Sequence, residues 1–424
     1  MNKGAQTTKI QDYVNSPLFI LPKDPLFYRP TVPCSFASQG EQMVELLISM
    51  GPKFYETFNN MVPLDLQAEI AQKTFISCRS EWLKSQNLPI DGVSPSMREK
   101  IEVLIERTLE EKSKTNKKYF QTRRQFSNLV PYCWKRTQAP RVTTTGSTFH
   151  GMKKDLKFPI LKEISKVSGL CFADLDMSAA HARIALSLLG RKSKYLKEAV
   201  NSSKFWDDRT TYYLPSLNEA LSGLSLDAIN PKQLRAMLKV SLYTSLNGGN
   251  PFGPARLLKN VNDNALHLLS HFEDFEDLEK FKESSLYKVL YRVFEKDELI
   301  KEVKDLNKSC FSQRRLVSHT IDRVKPYKID KPHKGISRVL QSFEVVLLSV
   351  LVRSCLKELL LPVSLDHDGL LIAYRGNVDI KSLSLHLTRD IEPWVHFLLS
   401  KEGLDMEMPI ESKLLIVNGE IYKT

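Results

Sequence analysis

The sequence predicts an α+β protein, and three observations carry that prediction. Strand-like segments are few and fall in two regions, SGLCFADLDMS at residues 168–178 and the stretch from Val363 onward. The long interval 191–335 between them reads as mainly helical. With 424 residues, the chain is also longer than one ordinary core requires, so two or three subdomains are expected.

Composition narrows the class. Hydrophobic residues make up 42% and charged residues 26%, which suits a globular protein and opposes long disorder. No stretch approaches the roughly 20 uninterrupted apolar residues of a membrane span, so no membrane association is expected. The short PLFIL near the N-terminus is flanked by prolines and is no signal-peptide core. Six cysteines without a CxxC read as reduced thiols and exclude a disulfide scaffold or a zinc ribbon. Lys and Arg number 61 against 49 Asp and Glu, a formal +12. A protein this basic suits a polyanionic partner, nucleic acid being the commonest; the plain alternative is a basic surface with no specific partner.

Along the chain, residues 1–93 form an N-terminal extension of short apolar runs and prolines, closed by the turn-rich NLPIDGVSPS. Residues 94–139 follow as a basic helical region. Ile101, Leu104, Ile105 and Leu109 share one helical face. Beyond them Lys112, Lys114, Lys117, Lys118, Arg123 and Arg124 are interleaved with Tyr119, Phe120, Phe126, Tyr132 and Trp134. Cations mixed with aromatics suit a nucleic-acid backbone, and equally a solvated helix face. RVTTTGSTFHG is a polar turn region. SGLCFADLDMS is a strand ending at two aspartates, and AAHARIALSLLG resumes helical periodicity. The segment SRVLQSFEVVLLSVLVRSCLKELL is a long helix buried on most of its circumference. VSLDHDGLLIAY is a hairpin with a tight turn at His367–Gly369. The tail from Ile380 is helical, then strand-like.

Four segments carry chemistry. Asp176 stands at a strand end, where a carboxylate can meet a hard cation or simply serve a turn. Asp174, two residues earlier, is read as solvated. Asn230-Pro231 is an N-cap and first-turn signature, and Gly248-Gly249 closes the same helix. Between them Arg235, Lys239, Tyr243 and Asn247 recur every four residues and share a stripe. Two cations at i,i+4 repel by a few tenths of a kcal/mol, which a bound polyphosphate would relieve. The third segment is the helix with Gln341. The fourth is Asp366-His367-Asp368-Gly369, a hairpin tip for which Asp-Gly is also the ordinary turn signal.

In this order the segments resemble the family A DNA polymerases and their single-subunit RNA polymerase relatives, over roughly residues 140–375. Motif A of that superfamily is matched by Asp176-Met177-Ser178-Ala179-Ala180-His181-Ala182-Arg183. Motif B is matched by Arg235, Lys239, Tyr243, Asn247 and Gly248, and motif C by His367-Asp368-Gly369. Thr143-Thr144-Thr145-Gly146 is similar to the Thr-x-Thr-Gly element upstream of motif A. The resemblance implies a right hand: an antiparallel palm sheet from residues 140–190 and 336–424, helical fingers over 191–335, and a thumb over 94–139. The first ninety or so residues are too few for a proofreading domain.

The activity so implied is template-directed DNA synthesis from dNTPs on a DNA primer–template, by a monomer that is cytoplasmic (nucleoid- or plasmid-associated) or organellar and not secreted. The compact chain and divergent motifs suggest replication of a plasmid or other small replicon. Two Mg2+ ions about 3.5–4 Å apart, replaceable by Mn2+, would be held by Asp176, Asp368 and the backbone carbonyl of Met177. Arg235 and Lys239 would hold phosphates, with Lys239 as general acid, and Tyr243 would stack on the nucleotide. Arg183, Gln341, His367, Thr145 and the cations Lys117, Lys118, Arg123 and Arg124 would face the primer–template. His181 takes the position of the sugar-selecting gate, usually Glu or Gly, and is expected to bond Asn247, which replaces the usual Tyr. Ser147 and Gly369 also depart from the family pattern. A primase or RNA polymerase of the same superfamily, and a non-catalytic DNA-binding replication initiator, remain as alternatives.

Overall fold

The computed structural model describes residues 33–85, 129–131, 134–136, 141–144, 148–150, 152, 154–189, 193–202, 204–269, 277–312, 335–366, 369–376, 378–399 and 406–422. The fold is α+β, with an antiparallel sheet set among helices.

The sheet is built from segments far apart in the chain. Strand β3 (Cys171–Met177) lies at its centre, after a small pair formed by β1 (Trp134–Arg136) and β2 (Val142–Thr144). β4 (Leu361–Asp366) and β5 (Gly369–Tyr374) make the expected hairpin on one side of β3. β6 (Ile410–Val417) and β7 (Glu420–Tyr422) lie on the other. The order is β4-β5-β3-β6-β7, and every pairing is antiparallel. All seven residues of β3 are buried, as a strand paired on both edges and covered by helices requires.

Helices α1 (Pro33–Met61) and α2 (Leu64–Ser85) precede the sheet in the chain, and α3 (Lys154–Ser168) and α4 (Ala180–Leu189) flank β3. α3 packs on β3 and β6, while α1 reaches β4. Met43, Leu47, Phe54 and Phe58 of α1 belong to the same hydrophobic core as β3, so this part of residues 1–93 is a structural layer of the sheet unit. Trp134 was grouped above with aromatics that suit nucleic acid. It is 1% exposed, meets Phe54 edge-on at 6.1 Å, and donates its Nε1–H to the Pro131 carbonyl at 3.2 Å, so it is a core residue.

A second, separate core lies in the helical interval. After α5 (Lys194–Asn201), whose Leu196 joins the sheet's core, it draws on α6 (Phe205–Ser222), α7 (Pro231–Leu246), α8 (Pro254–Asn264), α9 (Leu278–Glu283), α10 (Ser285–Glu295) and α11 (Glu298–Ser312). Within it Leu217, Leu234, Leu257, Phe281, Leu290 and Phe294 form a cluster apart from the sheet's core. α12 (Gly335–Lys357) then returns to pack on β4 and β5, and α13 (Ile380–Leu399) packs on α12 and β6. Contrary to the reading of the sequence, Ser337–Lys357 is long and apolar enough to cross a membrane, but 89% of its apolar window is buried inside the protein. Its hydropathy is that of a core helix.

Candidate active site

Asp176 is the last residue but one of the central strand and is buried. Beyond it the chain turns at Ala179, a non-glycine residue at φ 51°, a backbone state L-residues seldom adopt. That turn sends β3 into α4. Across the sheet Asp176 is the register partner of Gly369 on β5 and of Glu411 on β6. Gly369 in turn closes the β4–β5 hairpin opposite Asp366. A Cβ on Gly369 would lie 2.7 Å from the Leu175 carbonyl oxygen. The glycine therefore admits a close approach of β5 to β3, in addition to the turn signal it carries in the sequence.

On the β6 side the register shifts. Asp174 pairs with Leu414 and Leu175 with Ser412, which leaves Lys413 as an extra residue without an opposite number. Such a bulge re-aims a side chain, and here Lys413 Nζ forms an ion pair with Asp176 Oδ2. Asp174, expected to be solvated, is buried instead and accepts an ion pair from Lys154 at 2.8 Å. A carboxylate withdrawn from water needs such a cation.

The α7 stripe faces the same place. Its N-cap is a full capping box: Asn230 and Gln233 exchange side-chain and backbone bonds of 2.9 and 3.0 Å. Gly248, at φ 76°, lies just beyond the C-cap Asn247. Leu234, Leu238 and Leu242 are buried beneath, while Arg235 and Lys239 are half-buried and Tyr243 is exposed. Arg235 pairs with Asp207, and Lys239 Nζ lies 5.6 Å from the centre of the Trp206 ring. These partners offset the i,i+4 repulsion, so tolerance of the paired cations does not by itself require a polyphosphate. Burial, with the charges of Arg235 and Lys413, holds the Lys239 ammonium below the usual lysine pKa; Asp207 opposes this. Lys413 thus stands near enough to the stripe for its charge to act on Lys239.

No protein-family model matches the chain, and no curated protein matches it.

The gate candidate His181 does not bond Asn247. Its Nε2 lies 2.7 Å from Glu344 Oε2, which also receives both Nε and Nη2 of Arg141, at 3.1 and 3.0 Å. With Nε2 donating to the carboxylate, the 3.2 Å approach of Arg141 Nη2 to Nε2 follows from three donor nitrogens gathered around one acceptor oxygen. Asn247 instead donates to the Tyr243 carbonyl at 2.8 Å and accepts from Ser337 Oγ at 3.4 Å; Gln341 donates to the same Ser337 at 3.1 Å. Two expected substrate-side residues, Asn247 and Gln341, are thus linked through Ser337.

Arg183 also departs from expectation. It is buried and donates to three backbone carbonyls, those of Ser178, Glu407 and Val200, at 2.9, 3.1 and 3.2 Å. Those bonds make it an internal tether between the turn after β3 and the segment before β6, rather than a primer–template contact. Desolvation lowers its pKa, against the pull of Glu407 and Glu411.

Asp368, His367, Thr145, Lys117, Lys118, Arg123 and Arg124 lie outside the described residues. Among the described residues no group of three or more His, Cys, Asp or Glu gathers as a metal cage. The donor set still suits a hard cation: Asp176 presents a carboxylate that a lysine ammonium already engages, and Glu411 is its neighbour across the strand. The residue that sequence reasoning missed is Lys413. Only the β6 register gives it a role.

Proposed function

We propose that this protein is a template-directed nucleotidyltransferase that adds dNTPs to a primer 3′-hydroxyl, with a right-hand arrangement in which the sheet unit is the palm and the α5–α11 unit the fingers. The observation that supports this best is the Asp176–Lys413 ion pair near the end of the central strand, with the Arg235–Lys239 stripe close enough for the Lys413 charge to act on Lys239. A carboxylate beside a row of cations is what a metal-bound triphosphate needs on its two sides. Mg2+, when bound at Asp176 with Asp368, would activate the primer hydroxyl and neutralise the leaving pyrophosphate. Arg235 and Lys239 hold and orient the phosphates, and Lys239, its ammonium already destabilised, is suited to give a proton to the leaving group. Tyr243, exposed on the stripe, offers a ring to the base or sugar.

Primer extension with dNTPs and NTPs in parallel, with and without Mg2+, tests this reading. Wild type should extend the primer only with the metal, and Asp176→Ala should lose at least about three orders of magnitude in rate while DNA binding persists. Near-normal extension by folded Asp176→Ala would refute the assignment. One observation favours the RNA polymerase or primase reading as runner-up: His181 is tied to Glu344 and Arg141, so its ring is already engaged by protein groups and is a poorer barrier to a ribose 2′-hydroxyl. Equal use of NTPs and dNTPs would give that reading the lead.

A further inference from the structure

Lys413 has an unusual position. It is the residue inside β6 that the register shift against β3 leaves over. Its ammonium engages a side chain that is 12% exposed, while its own side chain is 48% exposed. The lysine therefore reaches the carboxylate from solvent and can withdraw without unburying anything. On its other flank it acts on Lys239, one turn along α7 from Arg235. Lys413 thus stands between the Asp176 carboxylate, with which it pairs, and the Lys239 ammonium, on which its charge acts. A lysine ammonium is a compact point charge on a flexible stem, suited to exchanging one anion for another.

We propose that Lys413 is an exchangeable counter-ion: it neutralises Asp176 when no divalent cation is bound, and moves to the phosphates of the incoming nucleoside triphosphate when one is. This rests on reading Asp176 as a metal ligand. The physical basis is competition. A divalent cation and an ammonium cannot both sit against one largely buried carboxylate without strong repulsion. The displaced ammonium has an anion to receive it in the triphosphate, beside Lys239 and Arg235. A bulge at this point, in place of a regular pair, gives the lysine that reach. The exchange would keep Asp176 paired through the whole cycle, and it would disfavour metal binding in the absence of nucleotide.

The proposal predicts a crossed effect that a merely structural lysine would not give. Mn2+ binding to the full chain is measured without nucleotide, by the loss of the free-ion electron paramagnetic resonance signal, for wild type, Asp176→Asn, Lys413→Gln and Lys413→Arg. The KM for nucleotide is measured in primer extension with the same proteins. Lys413→Gln should bind Mn2+ about fivefold or more tightly than wild type, and its nucleotide KM should rise about tenfold. Lys413→Arg, which keeps the ion pair, should return Mn2+ affinity to within about twofold of wild type; it also serves if Lys413→Gln fails to fold. Unchanged or weaker Mn2+ binding by Lys413→Gln, with binding lost in Asp176→Asn, would overturn the counter-ion and leave the metal-site reading standing. Mn2+ binding by Asp176→Asn equal to wild type would overturn the metal-site reading instead. Tighter Mn2+ with an unchanged KM would overturn the transfer to phosphate.

Discussion

Gly369 is a residue whose constraint comes from across the sheet more than from its own turn. A methyl group there meets the Leu175 carbonyl at 2.7 Å, and that carbonyl belongs to backbone in the centre of the sheet. Gly369→Ala should therefore cost about 1–3 kcal/mol, read from urea denaturation. It should also lower nucleotide addition, because the strand it pushes carries Asp176. A variant as stable as wild type would mean that β5 yields freely at this point. Arg183 makes the complementary case: its three carbonyl bonds occupy the guanidinium, and no sequence pattern separates such a tether from a cation offered to nucleic acid. His181 was equally opaque. Its partners Glu344 and Arg141 are 163 and 40 residues away in sequence, and neither spacing carries a signal.

At the scale of elements, much was legible. The Asn230-Pro231 cap and the Gly248 stop bound α7 as the sequence reads, because capping is local chemistry. The β3 strand and the β4–β5 hairpin follow from apolar runs closed by turn residues. The β6 bulge was not legible. Period-2 alternation says which residues share a face, but which residue is left over depends on pairing with a strand more than two hundred residues earlier. The α7 stripe yields a pH prediction. The Lys239 ammonium is held below the ordinary lysine value of about 10.4, so it deprotonates earlier as pH rises. The alkaline limb of kcat/KM for nucleotide addition should therefore fall below that pH. Lys239→Arg should flatten the limb, and Lys413→Gln, by removing a like charge, should move it upward. Stability carries the opposite sign. The cost of holding this ammonium is present at neutral pH and is relieved as pH rises through the lowered value towards the unfolded one. A limb unmoved by Lys239→Arg would assign the titration to another group.

For the whole molecule, two cores and a formal +12 set the behaviour. Separate cores allow separate opening. Leu257→Ala, at a fully buried site of the helical unit, should cost about 2–5 kcal/mol. Hydrogen exchange should rise across α6–α11 while β3 and β5 keep their protection; uniform loss would show one cooperative unit. The net charge predicts DNA binding that weakens with salt. Charge reversal at Lys117, Lys118, Arg123 and Arg124 should flatten the log–log salt slope by up to about 3.6. An unchanged slope would place the binding surface on other cations.

The strand order has a consequence for synthesis on the ribosome. β3 is made early, yet its partner β6 lies near the C-terminus, and the Asp176–Lys413 pair spans 237 residues. At about 5–20 residues per second, the nascent chain carries Asp176 for roughly 12–50 s before Lys413 exists. The core cluster of the helical unit lies within residues 213–300 and has the means to fold in that interval, while the central strand waits with both edges unpaired until β5 is made. Messages truncated before codon 410 would yield chains that hold every cation of α7 and Asp176 itself, yet leave β3 without its second neighbour.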